Sequence, residues 1–570
     1  MLEDTGNAKE MMVSPNELIV AFAWTIGRIK ADVRCTRNRM KRRRICMRTL
    51  PKLLALCLAV VMCLTFVYAN AETANLTIFA PLADSEVSNH ADVPSMQKLA
   101  ELTDVNVEWI HPPVGQESEQ FNLMVISQEF PDIIYSNWTN YDGGPEKAIQ
   151  DDVIIALNDY IDEYAPNLKA LFEKYPEAKR QATTDDGTIY CFPFIRGVVL
   201  NEETAGLNFT QGPIYRKDWA DKLGFAEPVT IDDWYNMLVA FRDNDMNGNG
   251  DPSDEIPFSG VYNNGTGYSF NYFTAAFGCL EGFYLEDGKV NHSILSPKYK
   301  DYLNTMRKWY AEGLLDPDFL AVDSNTFQAK ATSGLVGSWF GSETAHFANY
   351  AKVMKETVPE ADLEPVHWAT AEDGTSYTAQ PAVNVICNGK GFALSSQCTN
   401  IEAAMRYLDY MYSEEGVRLV NYGIEGEHYT LDEDGNVHWT ESMQKAIDEK
   451  GFRAAVIPVA FGGRSGYIYQ DTQMVILAKT DPIQMVAVNT WGESSSDLII
   501  PTITPTAEES TSFAMIMSDV NTYLQEMTGK YIMGLVGEDE YDTIVNNCKA
   551  MGIEEALEIE NAAYARYLAR

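Results

Sequence analysis

Oxygen-bearing side chains recur at every second position from Asp243 to Asp251: Asp243, Asp245, Asn247, Asn249 and Asp251. Gly248 and Gly250 alternate with them, and Asp254 and Glu255 bring back two carboxylates at the end of the loop. A hard cation such as Ca2+ takes about six to eight oxygen ligands from spacing of this kind. In the register that begins at Asp243, the run is close to the calcium-loop pattern D-x-[DN]-x-[DN]-G-x5-E, with Asp254 in place of the closing Glu. Asn, Asp and Gly also build tight turns, so an acidic turn without a cation is the competing reading. Crowding so many carboxylates without a cation is electrostatically costly, which favours calcium.

Aromatic residues are the second feature. Trp138, Trp339-Phe340 and Trp491 each follow a short apolar, strand-like run. Loops after strand ends are where open α/β sheets place ligands. Exposed aromatic faces stack on sugar rings, and neighbouring polar groups then fix orientation. Each of these side chains could instead fill a core, and Trp234, on the stripe it shares with Met237, Leu238 and Phe241, is a core residue.

No catalytic signature accompanies them. The seven His are scattered and none forms H-E-x-x-H. Gly463-Arg-Ser-Gly466 misses the spacing of a nucleophile elbow, and there is no phosphate-binding Gly-rich loop. Carboxylate pairs are abundant, but a chain with 82 Asp and Glu guarantees that.

The elements that must position these residues alternate between strand and helix, an α/β order. Strands are predicted at Leu76–Ala80, Val105–Ile110 and Pro131–Tyr135, with helices at Ser95–Leu102 and Glu117–Ser127 between them. Helices are also predicted at Leu157–Tyr175, Asp232–Asn244 and Tyr299–Gly313. Val383–Cys387, Asn388-Gly389 and Gly391–Ser395 read as strand, turn and strand. Asn400 caps a helix over Ile401–Tyr412. Further helices follow at Ser512–Gly529, Glu538–Met551 and Ile553 to the end.

At 570 residues the chain exceeds one compact core. With 46% apolar, 11% aromatic and 22% charged residues it is globular. Its formal charge of −39 would repel a nucleic-acid backbone, which argues against DNA or RNA as a partner. The basic residues cluster early. Lys41-Arg-Arg-Arg44, Arg48 and Lys52 precede the apolar stretch Leu53–Ala69, and Ala69-Asn-Ala71 supplies the small residues of a cleavage site. This order reads as a secretory signal cleaved after Ala71, leaving Glu72 as the mature N-terminus; a single membrane anchor is the alternative. No lipidation signal is evident, because Cys57 and Cys63 follow bulky residues. Cys191, Cys279, Cys387, Cys398 and Cys548 remain beyond Ala71. They are expected as buried thiols, with a Cys387–Cys398 bridge the one optional pairing.

Segments spread along the chain resemble the extracellular solute-binding proteins of ABC importers, family 1. More narrowly, they resemble the large calcium-binding branch that includes alginate-oligosaccharide-binding proteins. The matching segments include Phe130-Pro-Asp-Ile-Ile-Tyr135, Leu157–Leu168, Tyr215-Arg-Lys-Asp-Trp219 and the Asp245–Pro257 loop. Tyr310–Pro317, Asn421–Gly426 with His428 and Tyr429, and Met551 through Tyr567 continue the match. Any one segment is weak; their order and spread are specific.

The resemblance implies a two-lobed α/β fold with a hinge and an interlobe ligand cleft. Residues 1–71 would be an N-terminal extension and signal peptide. Lobe 1 would take residues 72–195 and 383–440, and lobe 2 residues 196–382 and 441–570. The family pattern places calcium on Asp245, Asn247, Asn249, Asp251, Asp254 and Glu255, in a loop one residue longer than in some relatives. The expected function is capture of a carbohydrate, an oligosaccharide, by an extracellular or cell-surface monomer that delivers it to membrane permease subunits, with no bond made or broken. Ligand-facing candidates are Trp138, Tyr215, Arg216, Trp339, Phe340 and Trp491, with Arg216 equally suited to a structural ion pair. The runner-up is a secreted calcium-dependent lyase or glycosidase, which would need two carboxylates at catalytic separation.

Overall fold

The computed structural model describes residues 73–82, 86–262, 269–462 and 466–570. The expected signal segment and its cleavage site lie outside these residues. Among the described residues fourteen strands follow in chain order. β1 is Ala74–Phe79, β2 Val105–Ile110, β3 Ile133–Asn137 and β4 Phe192–Arg196. β5 is Gln211–Arg216, β6 Ile256–Phe258, β7 Phe283–Glu286 and β8 Lys289–His292. β9 is Val336–Ser342, β10 Leu363–Pro365 and β11 Cys387–Leu394. β12 is Tyr429–Leu431, β13 Val437–Trp439 and β14 Tyr469–Gln470.

Two sheets organise the chain. One has the order β14-β4-β11-β3-β1-β2 and the other β10-β5-β9-β6. β1 runs parallel to β2 and β3, with Ala74 opposite Val105 and Ile78 opposite Ile133. Parallel neighbours need crossover connections. The helices Pro94–Thr103 and Glu117–Ser127 provide them, as the alternating pattern predicts. The first begins with Pro at its N-terminal turn and stops at Asp104, whose φ of 53° ends the helical path. Its inner stripe of Met96, Leu99 and Thr103 is buried.

Each sheet carries its own apolar core. Leu76, Ile78, Ile133, Phe192, Leu394 and Leu408 belong to the first. Ile214, Trp219, Trp234, Phe258, Trp309 and Trp339 belong to the second. The chain passes from the first sheet to the second after β4 and returns at β11. It also returns later than expected: β14, within the stretch assigned to lobe 2, pairs with β4. The helices Glu441–Lys450 and Phe452–Val456 pack with Tyr422, Tyr429 and Met474.

Three local expectations change. The helix expected over Leu157–Tyr175 is two, Asn158–Tyr164 and Pro166–Lys174, joined at Ala165. Pro166 lacks an N–H and disfavours helical backbone at the residue before it. The strand–turn–strand expected around Asn388-Gly389 is one continuous strand. Gly389, at φ +80°, accommodates a register shift between Cys387 and Gly391, so the pair forms a bulge rather than a hairpin turn. Residues 383–386 are not a strand. Four of the five described cysteines are buried thiols as expected, but Cys398 is half-buried, and none is in a disulfide.

Candidate functional site

A cleft of about 1370 Å³ opens between the two cores. The first sheet contributes Phe194 and Arg196 from β4 and Asn388 and Lys390 from β11. Asn208, Thr210 and Gln211 enter from the approach to β5, and Ser342 through Ala345 from the end of β9. Lys352 closes the side of the second core, and Lys450, Gly451 and Phe452 come from the helices packed with Tyr422 and Met474. Donors and acceptors from both cores therefore face one space.

The crossing segments are held by hydrogen bonds. The Gln380 carbonyl accepts from the amides of Thr210 and Gln211 at 2.8 and 3.0 Å, while its Nε2 donates to Asn208 O at 2.8 Å. The Arg196 Nη1 donates to Ala382 O at 2.7 Å and to Val385 O at 3.2 Å. Burial lowers the Arg196 pKa from its ordinary value. Lys479 and Glu343 form an ion pair at 3.4 Å in the wall of the cleft.

The six sequence-selected ligand candidates do not line this cleft. Trp138, Trp339 and Trp491 are each 0% exposed. Their indole N–H groups are satisfied by backbone: Gly391 O at 3.1 Å, His346 O at 3.2 Å and Pro213 O at 3.2 Å. Trp491 lies so close to Gly212 that a Cβ there would come within 2.4 Å of the indole. Phe340 stacks on Trp368 with centroids 5.5 Å apart, and Tyr215 is buried in the same core. Arg216 is the structural ion pair: it binds Asp218 through Nε at 2.8 Å and Nη2 at 2.5 Å, over the face of Trp219. A large apolar ring after a strand can turn inward or outward, and here it turns inward because the core offers more buried area. The residues that do line the cleft, among them Arg196, Lys390 and Lys352, sit in segments with no motif. No pattern in the sequence marks them; only the spatial meeting of β4, β11 and the helix Asn349–Thr357 does.

The acidic loop lies elsewhere, between the helix Ile231–Asp243 and β6. Gly248 and Gly250, at φ +75° and +92°, let the backbone fold inward. Asp245 accepts from the amides of Gly248 and Gly250 at 2.7 and 2.9 Å. Glu255 Oε1 accepts from Met246 and Asn247 amides at 2.7 and 3.1 Å, whereas its Oε2 is buried and has no hydrogen-bond partner among the described residues. The Asn247 and Asn249 amides donate to the two oxygens of Asp254 at 3.0 and 2.6 Å. Asp251 accepts from Ser253, which holds its carboxyl below the ordinary value. Asp243 is outside this set and pairs with Arg242 at 2.8 Å. Among the described residues no three His, Cys, Asp or Glu side chains close into a cation cage. The orphaned oxygen of Glu255 suits a cation ligand, because a buried carboxylate oxygen without a partner is costly.

The sequence matches the bacterial extracellular solute-binding protein family across residues 88–418, more than half of the chain. The chain belongs to this family. As a whole, this solute-binding protein is 27% identical over 502 residues to the fructooligosaccharide ABC transporter substrate-binding protein FusA of Streptococcus pneumoniae serotype 4, covering 83% of this chain and 87% of FusA. It is 22% identical over 496 residues to the polygalacturonan/rhamnogalacturonan-binding protein YtcQ of Bacillus subtilis strain 168, with shares of 83% and 87%. Its fold matches the S. pneumoniae FusA structure in complex with kestose (TM-score 0.68, 24% identity, 87% of this chain and 99% of that one). It also matches alginate-binding protein AlgQ2 solved without calcium ion (TM-score 0.65, 22% identity, 87% and 99%). The solute-binding protein thus has the two-lobed α/β architecture of its relatives. Among the described residues no helix is long and apolar enough to cross a membrane.

Proposed function

We propose that this protein captures an oligosaccharide in the cleft between its lobes and delivers it to the permease of an ABC importer outside the cell. The observation that carries the reading is the cleft itself: about 1370 Å³, lined by polar groups from both lobes. Small-molecule pockets run to about 1,000 Å³, so this one suits several sugar units. The relatives named for fructooligosaccharide and for polygalacturonan support the same class. A ligand touching both lobes stabilises the closed arrangement, and the permease reads that state. No covalent step is involved.

Lobe 1 takes residues 72–195 and the chain from 383 through β14, beyond the expected limit at 440, because β14 extends its sheet. Lobe 2 takes residues 196–382 and the remainder to 570. The Asp245–Glu255 loop binds calcium through Asp245, Asn247, Asn249, Asp251, Asp254 and Glu255, and Glu255 Oε2 has the greatest need of it. The cation's role is structural: it neutralises the carboxylates and ties the helix Ile231–Asp243 to β6. Two fold relatives are described with reference to a calcium ion or to an EF-hand. Export uses the Leu53–Ala69 segment, leaving Glu72 first, and the exported chain acts as a monomer.

Calorimetry of the exported protein against a glycan panel tests the reading. Saturable binding with no release of reducing ends is expected. Turnover of a bound oligosaccharide would replace transport with catalysis.

A further inference from the structure

On the reading that the cleft takes an oligosaccharide, we infer that the ligand is acidic, a chain of uronate sugars whose carboxylates meet cations from both lobes. The argument begins with charge. The chain carries 82 Asp and Glu against 43 Lys and Arg, so a cation has many carboxylates to pair with. Elsewhere such pairs are common: Lys147 with Asp151, Arg216 with Asp218, Lys330 with Asp316 and Arg566 with Glu509. In the cleft, Arg196, Lys352, Lys390 and Lys450 have no ion-pair partner among the described residues. Arg196 and Lys390 come from neighbouring strands of the first sheet, Lys450 from the end of the helix Glu441–Lys450, and Lys352 from the helix Asn349–Thr357 against the second core.

The cleft's own carboxylates are already engaged. Glu343 holds Lys479, and Asp481 caps the helix Pro482–Trp491 by accepting from the Ile483 amide at 3.1 Å. Asp448 accepts from Gln444 Nε2 at 2.9 Å, and Glu449 pairs with Lys445 at 3.8 Å. Glu86 is likewise engaged. The partners of Asp448 and Asp481 are neutral, so these two carboxylates stand against the four cations Arg196, Lys352, Lys390 and Lys450, and the unbalanced charge in this cleft is positive, in a protein that is otherwise strongly negative.

Arg196 adds a second argument. Its Nη1 is fixed by two backbone carbonyls, and burial already disfavours its charge. A cation taken from water with no anion to balance it is costly, and a ligand carboxylate would offset that cost with charge-assisted hydrogen bonds. A third argument is what the cleft lacks. Its only aromatic lining residues among those described are Phe194 and Phe452, 6% and 7% exposed, so little ring face is available for sugars to stack on. Recognition must rely on polar and charged contacts instead.

The test is calorimetry of the calcium-supplemented exported protein with four probes: oligogalacturonate, oligomannuronate, methyl-esterified oligogalacturonate and a neutral fructooligosaccharide. At least one acidic probe is expected to bind ten-fold or more tightly than the ester and the neutral sugar, with affinity falling as salt rises. The two acidic arms separate the sugar epimers. Lys390 is exposed, so K390Q keeps the fold; it should lose several-fold more affinity for the acidic probe than for the ester. R196Q should do the same, with melting curves as its folding control. Equal or tighter binding of ester or neutral sugar overturns the acidic class and leaves the oligosaccharide reading standing. Binding of none of the four overturns both.

Discussion

Lys479 and Glu343 face each other at 3.4 Å in the wall of the cleft, each with a side chain only 4% exposed. Both have left water, so neither can lose its partner without leaving a buried charge behind. K479M or E343Q should destabilise the protein by about 3–5 kcal/mol, the range for breaking a buried pair. The double replacement K479M/E343L should recover most of that loss. Denaturant unfolding of the three variants checks the pattern. Losses below about 1 kcal/mol for both single variants would mean that solvent screens the pair.

Calcium should raise the melting temperature of the wild-type protein relative to chelator, because a ligand that binds only the folded state stabilises it. D245A and E255Q should abolish the rise. D243N should keep it, since Asp243 pairs with Arg242 rather than with the loop. An identical wild-type melt in calcium and in chelator would remove the site.

Trp138 and Trp491 are buried in lobe cores rather than in the cleft. W138A and W491A should each cost about 3–5 kcal/mol of stability. The folded protein that remains should bind ligand with little change. Calorimetry at a temperature well below the lowered melting point separates stability from affinity. A large affinity loss with an unchanged melt would return these residues to the ligand site.

Glu560 lies on the helix Ile553–Ala569 with its carboxyl pushed up to about 7 by burial. Between its ordinary value near 4.5 and about 7, the folded state keeps a proton that the unfolded state has released. Its contribution is therefore fully present below about 4.5 and lost as pH rises through 7. E560Q should be more stable than wild type at pH 8 by on the order of 3 kcal/mol, and the difference should shrink on acidification. His90 and His292 act oppositely. Burial lowers both to about 4, so the stability they confer is present above about 6.5 and lost as pH falls toward 4. The acid limb should persist in E560Q. Urea unfolding at a series of pH values resolves the two limbs.

Much of this protein is written in local pattern. The β-α-β-α-β opening, the helix caps and the acidic loop depend on residues close in sequence, so spacing alone reveals them. Thr506 with Glu509 illustrates the limit: they form a capping box that starts a helix five residues before its expected beginning at Ser512. A cap competes with the apolar period, and the period alone misplaced the boundary.

The tertiary structure decided which way side chains face and which distant segments meet. Trp339 and Trp491 follow apolar runs as ligand-stacking rings could, yet both are buried around β5. Arg216 had two readings, and its neighbour two residues away, Asp218, decided between them once the helix Lys217–Leu223 placed that carboxylate beside it. Arg196 and Lys352 are separated by more than a hundred residues and belong to no motif. They line one cleft because the chain leaves the first sheet after β4 and places the helix Asn349–Thr357 against the second core. Sequence spacing encodes contacts within a turn or a strand pair; a binding cleft is a meeting of chain ends of elements, and only the packing of the two cores brings those ends together.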